Sequence, residues 1–308
     1  MLDLFHIPST AASTQTFYAN GTTGWQTWEK PRGAKMIQVF CLGSGGSGAI
    51  GSAALNGGRT GGGGAGSGAI TRALIPAFLL PDILYIQVGL GGAALNQTSA
   101  TVVAGIAGAH SYISLAPSTA ASTVVIASST VVAIGGLGSV GANAAGATVF
   151  TPAVGVFATL SIFNTVAGVI GTGLTTVPTP GPNQAALGSS IVTGGTAGGP
   201  ANTTAPGTGY DGGSITSASV ILTSTIAGGT GISTASIAAP AGANGYTIMN
   251  PFCSTGGAGG GGNGAGLGGN GGDGGLGSGG GGGGGGALNG TRRSGKGGDG
   301  LVIITTIT

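Results

Sequence analysis

The chain of 308 residues contains 73 glycines, only 5% charged side chains and a formal net charge of +2, where a globular protein has about 7% Gly and about 25% charged residues. That composition excludes an ordinary mixed domain, and its positive mean hydropathy excludes the polar, highly charged disordered class. Of the 8 Lys and Arg residues, all but Arg59 and Arg72 fall within 30–35 and 292–296, and a net charge of +2 is too small to imply a nucleic-acid binder.

Residues 1–24 read as an extended N-terminal arm, with turn chemistry at Pro8 and at Asn20-Gly21. Met1-Leu-Asp-Leu-Phe-His-Ile-Pro has neither the basic start nor the sustained apolar core of a signal peptide. Residues 25–92 read as a glycine-rich β region. Both tryptophans and the charges Glu29, Lys30, Arg32 and Lys35 precede a strand predicted over Met36–Leu42, with Ile37, Val39 and Cys41 on one face. Glycine blocks follow at 43–51 and 57–68, then a hydrophobic run over 75–80. A second strand over 83–88 runs straight into Gly89, Gly91 and Gly92.

Residues 93–255, rich in Ala, Thr and Gly, read as all-β. Short runs at 123–127, 130–134, 154–163 and 219–226 alternate with Gly and Pro punctuation, and no capped amphipathic helix stands out. From Ile83 to Gly272 the only acidic or basic side chain is Asp211, a surface that suits a subunit inside an assembly better than a free monomer. The uncharged stretch 152–174 is interrupted by Asn164 and by several Gly, Thr and Ser and lacks flanking cations, so no membrane span is expected.

Residues 256–308 read as a glycine block and a closing strand, co-folded with 25–92. Gly is the worst ordinary residue for helix and weakens strands, so a flexible linker is the default reading of 256–286, which ends in unbroken glycine over 279–286. Against it, Leu267, Asn270, Asp273 and Leu276 recur every third position, the repeat of a polyproline II helix. Such helices make no internal hydrogen bonds, and without Cβ atoms they can stack in a lattice bonded through the backbone. The expectation is a lattice in which 261–286 bonds to other glycine segments, including 57–68. The closing strand Leu301–Ile307 is expected to pair with Met36–Leu42 or with 83–88. The fold class expected is therefore all-β with packed polyglycine helices of polyproline II type and few or no α-helices.

Motifs that look chemical dissolve on inspection. Gly43-x-Gly45-x-x-Gly48 matches a dinucleotide fingerprint but is followed by more glycine instead of a helix, and the next acid is Asp82. Gly290-Thr-Arg-Arg-Ser-Gly295-Lys296 has phosphate-loop spacing, yet Gly297 stands where Ser or Thr would hold Mg²⁺ and a strand follows; a basic turn is the main reading and an anionic glycan or lipid site the lesser one. His6, His110, Cys41 and Cys253 have no metal-ligand spacing. The cysteines read as small buried apolar residues, with a disulfide as the alternative. Asp211, Asp273 and Asp299 are expected to accept hydrogen bonds from backbone N–H groups. The Asn-x-Thr triplets at Asn20, Asn96, Asn202 and Asn289 read as chance sequons. No catalytic, cofactor or metal residue emerges, and no enzyme is expected.

Trp28-Glu-Lys-Pro31-Arg-Gly33-Ala34, a strand and Gly43-Ser-Gly45-Gly46-Ser-Gly48 resemble the start of the glycine-rich domain of bacteriophage structural proteins, chiefly tail fibres and related appendages. Leu84-Tyr-Ile-Gln-Val-Gly89-Leu-Gly91-Gly92 and Gly297-Gly-Asp-Gly300-Leu-Val-Ile-Ile fit the same pattern, and the resemblance covers roughly 25–92 and 255–308. It implies a non-enzymatic virion protein of a tail fibre or tail appendage, with capsid decoration or a head fibre as the alternative. A free-standing glycine-helix binding protein or surface adhesin is the reading from another class. The partners implied are sister copies in a homo-oligomer, three-fold by resemblance, other virion proteins, and a host-surface glycan or receptor.

Overall fold

The computed structural model describes residues 13–21, 24–53, 58–98, 100–119, 124–128, 162–166, 168–186, 191–202, 204, 207–216, 224–288 and 290–308. The predicted run 130–134, and most of 154–163 and 219–226, lie outside them.

Two antiparallel sheets share one core. The first has the strand order Ser13–Tyr18, Leu301–Ile307, Met36–Leu42, Ile70–Pro76, Ile162–Val166. The second runs Gln26–Glu29, Ile83–Gln87, Ser111–Ser114, Val124–Ser128. Alternation decides what lies between them: Ile37, Val39, Cys41, Val302 and Ile304 from the first sheet meet Trp28, Leu84, Ile86, Ile113 and Val125 from the second. The closing strand pairs with Met36–Leu42, Leu301 opposite Leu42 and Ile307 opposite Met36, and not with the second sheet. Ser13–Tyr18, from the N-terminal arm, is the edge strand on its other side.

Among the described residues there is no α-helix, and the one 3-10 element is the short turn Ala77–Leu79. The strand before it, Ile70–Pro76, begins earlier than the hydrophobic run at 75–80. Thr71, Ala73 and Ile75 are buried and Arg72 is exposed, an alternation that the glycine next door obscures. Neither cysteine is in a disulfide and both are buried, Cys41 in the sandwich core and Cys253 in a second cluster with Ile215, Ile226 and Ala258. Burial raises the Cys253 thiol above its ordinary range, with a backbone hydrogen bond from Ile248 pulling the other way.

At one end of the sandwich the strands continue directly into glycine-rich helices, and the pairing register continues with them. Leu42 lies opposite Ile70; beyond them Gly46 N–H bonds to the Gly66 carbonyl, Ala49 to Gly63 and Ser52 to Thr60. Leu301 lies opposite Leu42; beyond them Gly45 bonds to Gly298 and Gly48 to Gly295. Val166 faces Ile70, and Ser67, Gly64 and Gly61 then bond to Val169, Thr172 and Thr175. The transition is possible because a strand rises about 3.3 Å per residue and a polyproline II helix about 3.1 Å. Leu42, Ile70, Leu301 and Val192 seal the junction on the outer face of the first sheet.

Candidate functional site

The feature around which the fold is organised is the lattice centred on residues 278–287. Its N–H groups go in strict rotation to three neighbours. Gly279, Gly282 and Gly285 donate to Thr193, Thr196 and Gly199; Gly280, Gly283 and Gly286 donate to Gly46, Ala49 and Ser52; Gly281, Gly284 and Ala287 donate to Gly272, Gly269 and Gly266. The N···O distances lie between 2.8 and 3.2 Å, ordinary hydrogen-bond lengths. Its carbonyls accept from three other helices: from Ala65 and Gly62, from Gly257, Gly260 and Asn263, and from Gly298 and Gly295, with Gly68 donating to Gly277 just before it. The central helix is thus bonded to six neighbours, where a strand in a sheet has two. The segment 57–68 is one of them.

Glycine is demanded here by space, not by conformation. Among the described glycines only Gly21, Gly33 and Gly277 have positive φ. At nearly every other lattice glycine an added Cβ would overlap a neighbouring carbonyl: at Gly45 that of Ser278, at Gly48 that of Gly281, at Gly195 that of Gly280. This is the logic of collagen, where only glycine fits at the crowded axis. Gly277 is the exception that needs both properties, since its φ is +65° and its Cβ position is filled by the Leu42 side chain.

Non-glycine residues, at the lattice rim and inside it, replace missing backbone neighbours with side chains. Asp211 Oδ1 accepts from Gly231 N–H at 2.7 Å, Asp299 Oδ1 from Gly91 N–H at 2.8 Å and Asp273 Oδ1 from Lys296 N–H at 2.7 Å. All three aspartates bind backbone, across helices instead of within turns. Asn270 does the same for Arg293 N–H, Ser294 for Leu95 N–H and Thr193 for Gly256 N–H. Asp273 also pairs with Arg293 at 2.8 Å, and Asp299 with Lys296 at 3.0 Å. The period-three residues Leu267, Asn270, Asp273 and Leu276 lie on the less buried side of a rim helix.

The structure accounts for the other motifs in the same terms. Gly43-x-Gly45-x-x-Gly48 is a lattice helix whose Gly45 and Gly48 abut the central one. In the segment 290–296, Gly295 donates to Gly281 and accepts from Gly48, and Arg292 is fully buried, which lowers its guanidinium to about 10. Arg292–Arg293 pair as a short strand with Asn96–Gln97 and Gly295 is bonded into the lattice, so the segment is not a free basic turn. His110 packs edge-on against Tyr112 at 5.7 Å, while His6 lies outside the described residues. Asn20 and Asn96 are exposed, Asn202 is half-buried and Asn289 lies outside the described residues. Among the described residues no group of His, Cys, Asp and Glu could hold a metal ion, and no helix is long and apolar enough to cross a membrane.

Sequence reasoning missed the lattice helices of the middle region. Residues 193–199 bond directly to the central helix, and 207–213 and 228–243 bond to 257–262 behind it. The available signal was the spacing of Gly195/Gly198, Gly209/Gly212, Gly228/Gly231 and Gly242/Gly245, each pair three apart amid Ala and Thr. The family model described as glycine-rich domain matches residues 20–306. No curated protein matches the chain.

Proposed function

The chain belongs to the glycine-rich domain family, and on that premise we propose that it is a non-enzymatic structural protein of a bacteriophage virion, placed in a tail fibre or tail appendage. The observation that carries the reading is the lattice itself: a backbone saturated by neighbouring helices makes a stiff, nearly uncharged body whose interior is closed to substrates. The resemblance of residues 28–48 and 84–92 to tail-fibre domains supports the same place.

A surface this poor in charge favours life among sister subunits, and a homo-oligomer with three-fold symmetry is the form proposed, with a host-surface glycan or receptor as its further partner. Mass spectrometry of purified phage particles is expected to find the chain; its absence from them overturns the reading. Gold-labelled antibody is expected at the tail, and label on the head would reassign the protein to capsid decoration. Light scattering of the purified chain is expected to give a multiple of its 28.5 kDa, and a monomer would remove the oligomer.

A further inference from the structure

The end of the sandwich remote from the lattice differs in character from the rest of the described surface. Strand Ile70–Pro76 leaves the first sheet there into the turn Ala77–Leu79, and that turn is fixed from several sides. Ala77 N–H donates to the Lys35 carbonyl at 2.9 Å and Leu80 N–H to the Ala77 carbonyl at 3.2 Å. Lys30 Nζ donates to the Leu80 carbonyl at 2.7 Å and pairs with Asp82 at 3.1 Å. On this rigid turn Phe78 stands 81% exposed, the most exposed of the large apolar residues described, with Ile83 and Ile307 exposed at the same end. A cleft of about 510 Å³ opens at the same end, lined by Glu29, Lys30, Arg32, Asp82 and Ile83 among others.

Lys30 and Asp82 neutralise one another; among the described residues this leaves Arg32 and Lys35 at this end as exposed cations without an ion pair, against the one acid Glu29. A fixed aromatic and two exposed cations at the same end as a cleft are the composition of an interface anchor. The chain has no complement to offer itself among its described residues. Outside this end, Asp211, Asp273 and Asp299 are all committed to backbone N–H groups or cations of the lattice. A second copy meeting this end two-fold would offer only the one acid, Glu29, against the two cations Arg32 and Lys35.

We propose that this end is the docking surface for an acidic, apolar segment of a different virion protein, with Phe78 as the anchor and Arg32 and Lys35 as the charge complement. The inference rests on the virion reading and adds which end of the molecule is attached. It is tested in phage particles carrying Phe78→benzoylphenylalanine, irradiated and analysed by mass spectrometry. The expected product joins position 78 to a peptide of another virion protein rich in Asp or Glu and apolar residues. A cross-link to a second copy, to residues 1–12 of this chain, or to nothing in particles that contain the chain overturns the proposal. In parallel, the double variant Phe78→Ser with Arg32→Glu is expected to fall about tenfold or more in copies per particle, the loss of one anchoring contact, with unchanged thermal unfolding. Ile237→Ser, exposed on a distant lattice loop, is the control and is expected to assemble normally. Wild-type incorporation of the double variant overturns the docking surface alone, whereas absence of the unaltered chain from particles overturns the virion reading and this one together.

Discussion

Gly282 and Gly283 are neighbours in sequence and opposites in tolerance. A Cβ on Gly282 would overlap the Gly62 carbonyl inside the lattice, whereas one on Gly283 would come no nearer than 3.2 Å, to the Arg293 carbonyl. Gly282→Ala must push two helices apart and weaken their bonds, at about 3 kcal/mol or more once overpacking and unpaired backbone groups are added. Gly283→Ala should stay within about 1 kcal/mol of the unaltered chain, because its φ is one that alanine can adopt. Urea unfolding of the two variants measures the contrast. Thr193 makes a separate case: its buried hydroxyl is the partner of the buried Gly256 N–H at 2.7 Å. Thr193→Val keeps the shape and orphans that donor, for an expected loss of about 1–3 kcal/mol, and Thr193→Ser should restore most of it. At this scale the sequence was informative about kind and silent about partner. Asp211, Asp273 and Asp299 could be assigned to backbone N–H groups from their glycine surroundings, but Gly231, Lys296 and Gly91 are brought to them only by tertiary packing.

Each strand that enters the lattice exchanges a two-residue repeat for a three-residue one without losing register. Residues 45, 48 and 51 therefore face the central helix as a row of glycines, while Ser44, Ser47 and Ile50 occupy another row. One alanine inserted between Leu42 and Gly43 turns that helix by a third of a revolution and drives Ser47 and Ile50 toward the central backbone. That variant should be insoluble. Inserting Gly-Ser-Gly at the same point restores the phase and should give a soluble protein of reduced stability, as judged by yield and circular dichroism. The elements that were legible in the sequence are those with an unambiguous period: Met36–Leu42, Leu301–Ile307, and the rim helix bearing Leu267, Asn270, Asp273 and Leu276. Residues 191–200 were not legible, because Ile191, Val192 and Thr193 imitate a strand and only Gly195 and Gly198 betray the period of three.

Over the whole molecule the glycine helices are drawn from positions as distant as Gly43 and Gly298, and no segment can leave without stripping partners from several others. Hydrogen exchange should display this directly. All N–H groups from 279 to 287 have partners, so they should exchange together and slowly, near the rate of global unfolding. In the outer helix 226–232, Gly228, Gly229, Gly231 and Ile232 donate hydrogen bonds, whereas exposed Ala227 and Thr230 donate none. Exchange there should be fast at every third position. Uniform protection along 226–232, or fast exchange at 282, would contradict the lattice pattern. The all-β class could be read from composition and turn spacing, but the interleaving of the middle region with the glycine blocks could not, since it depends on hydrogen bonds between residues as far apart in sequence as Gly62 and Gly198.

The uninterrupted passage of strand into helix also has a mechanical meaning. Tension applied between the Ile307 end of the sandwich and the far tip of the lattice near Ser52 would run along the chain direction of both parts. The bonds that resist it lie sideways to that direction, so they are loaded in shear and all at once, and none can unzip before its neighbours. A molecule wired in this way transmits a pull from one end to the other with no hinge between its two kinds of structure.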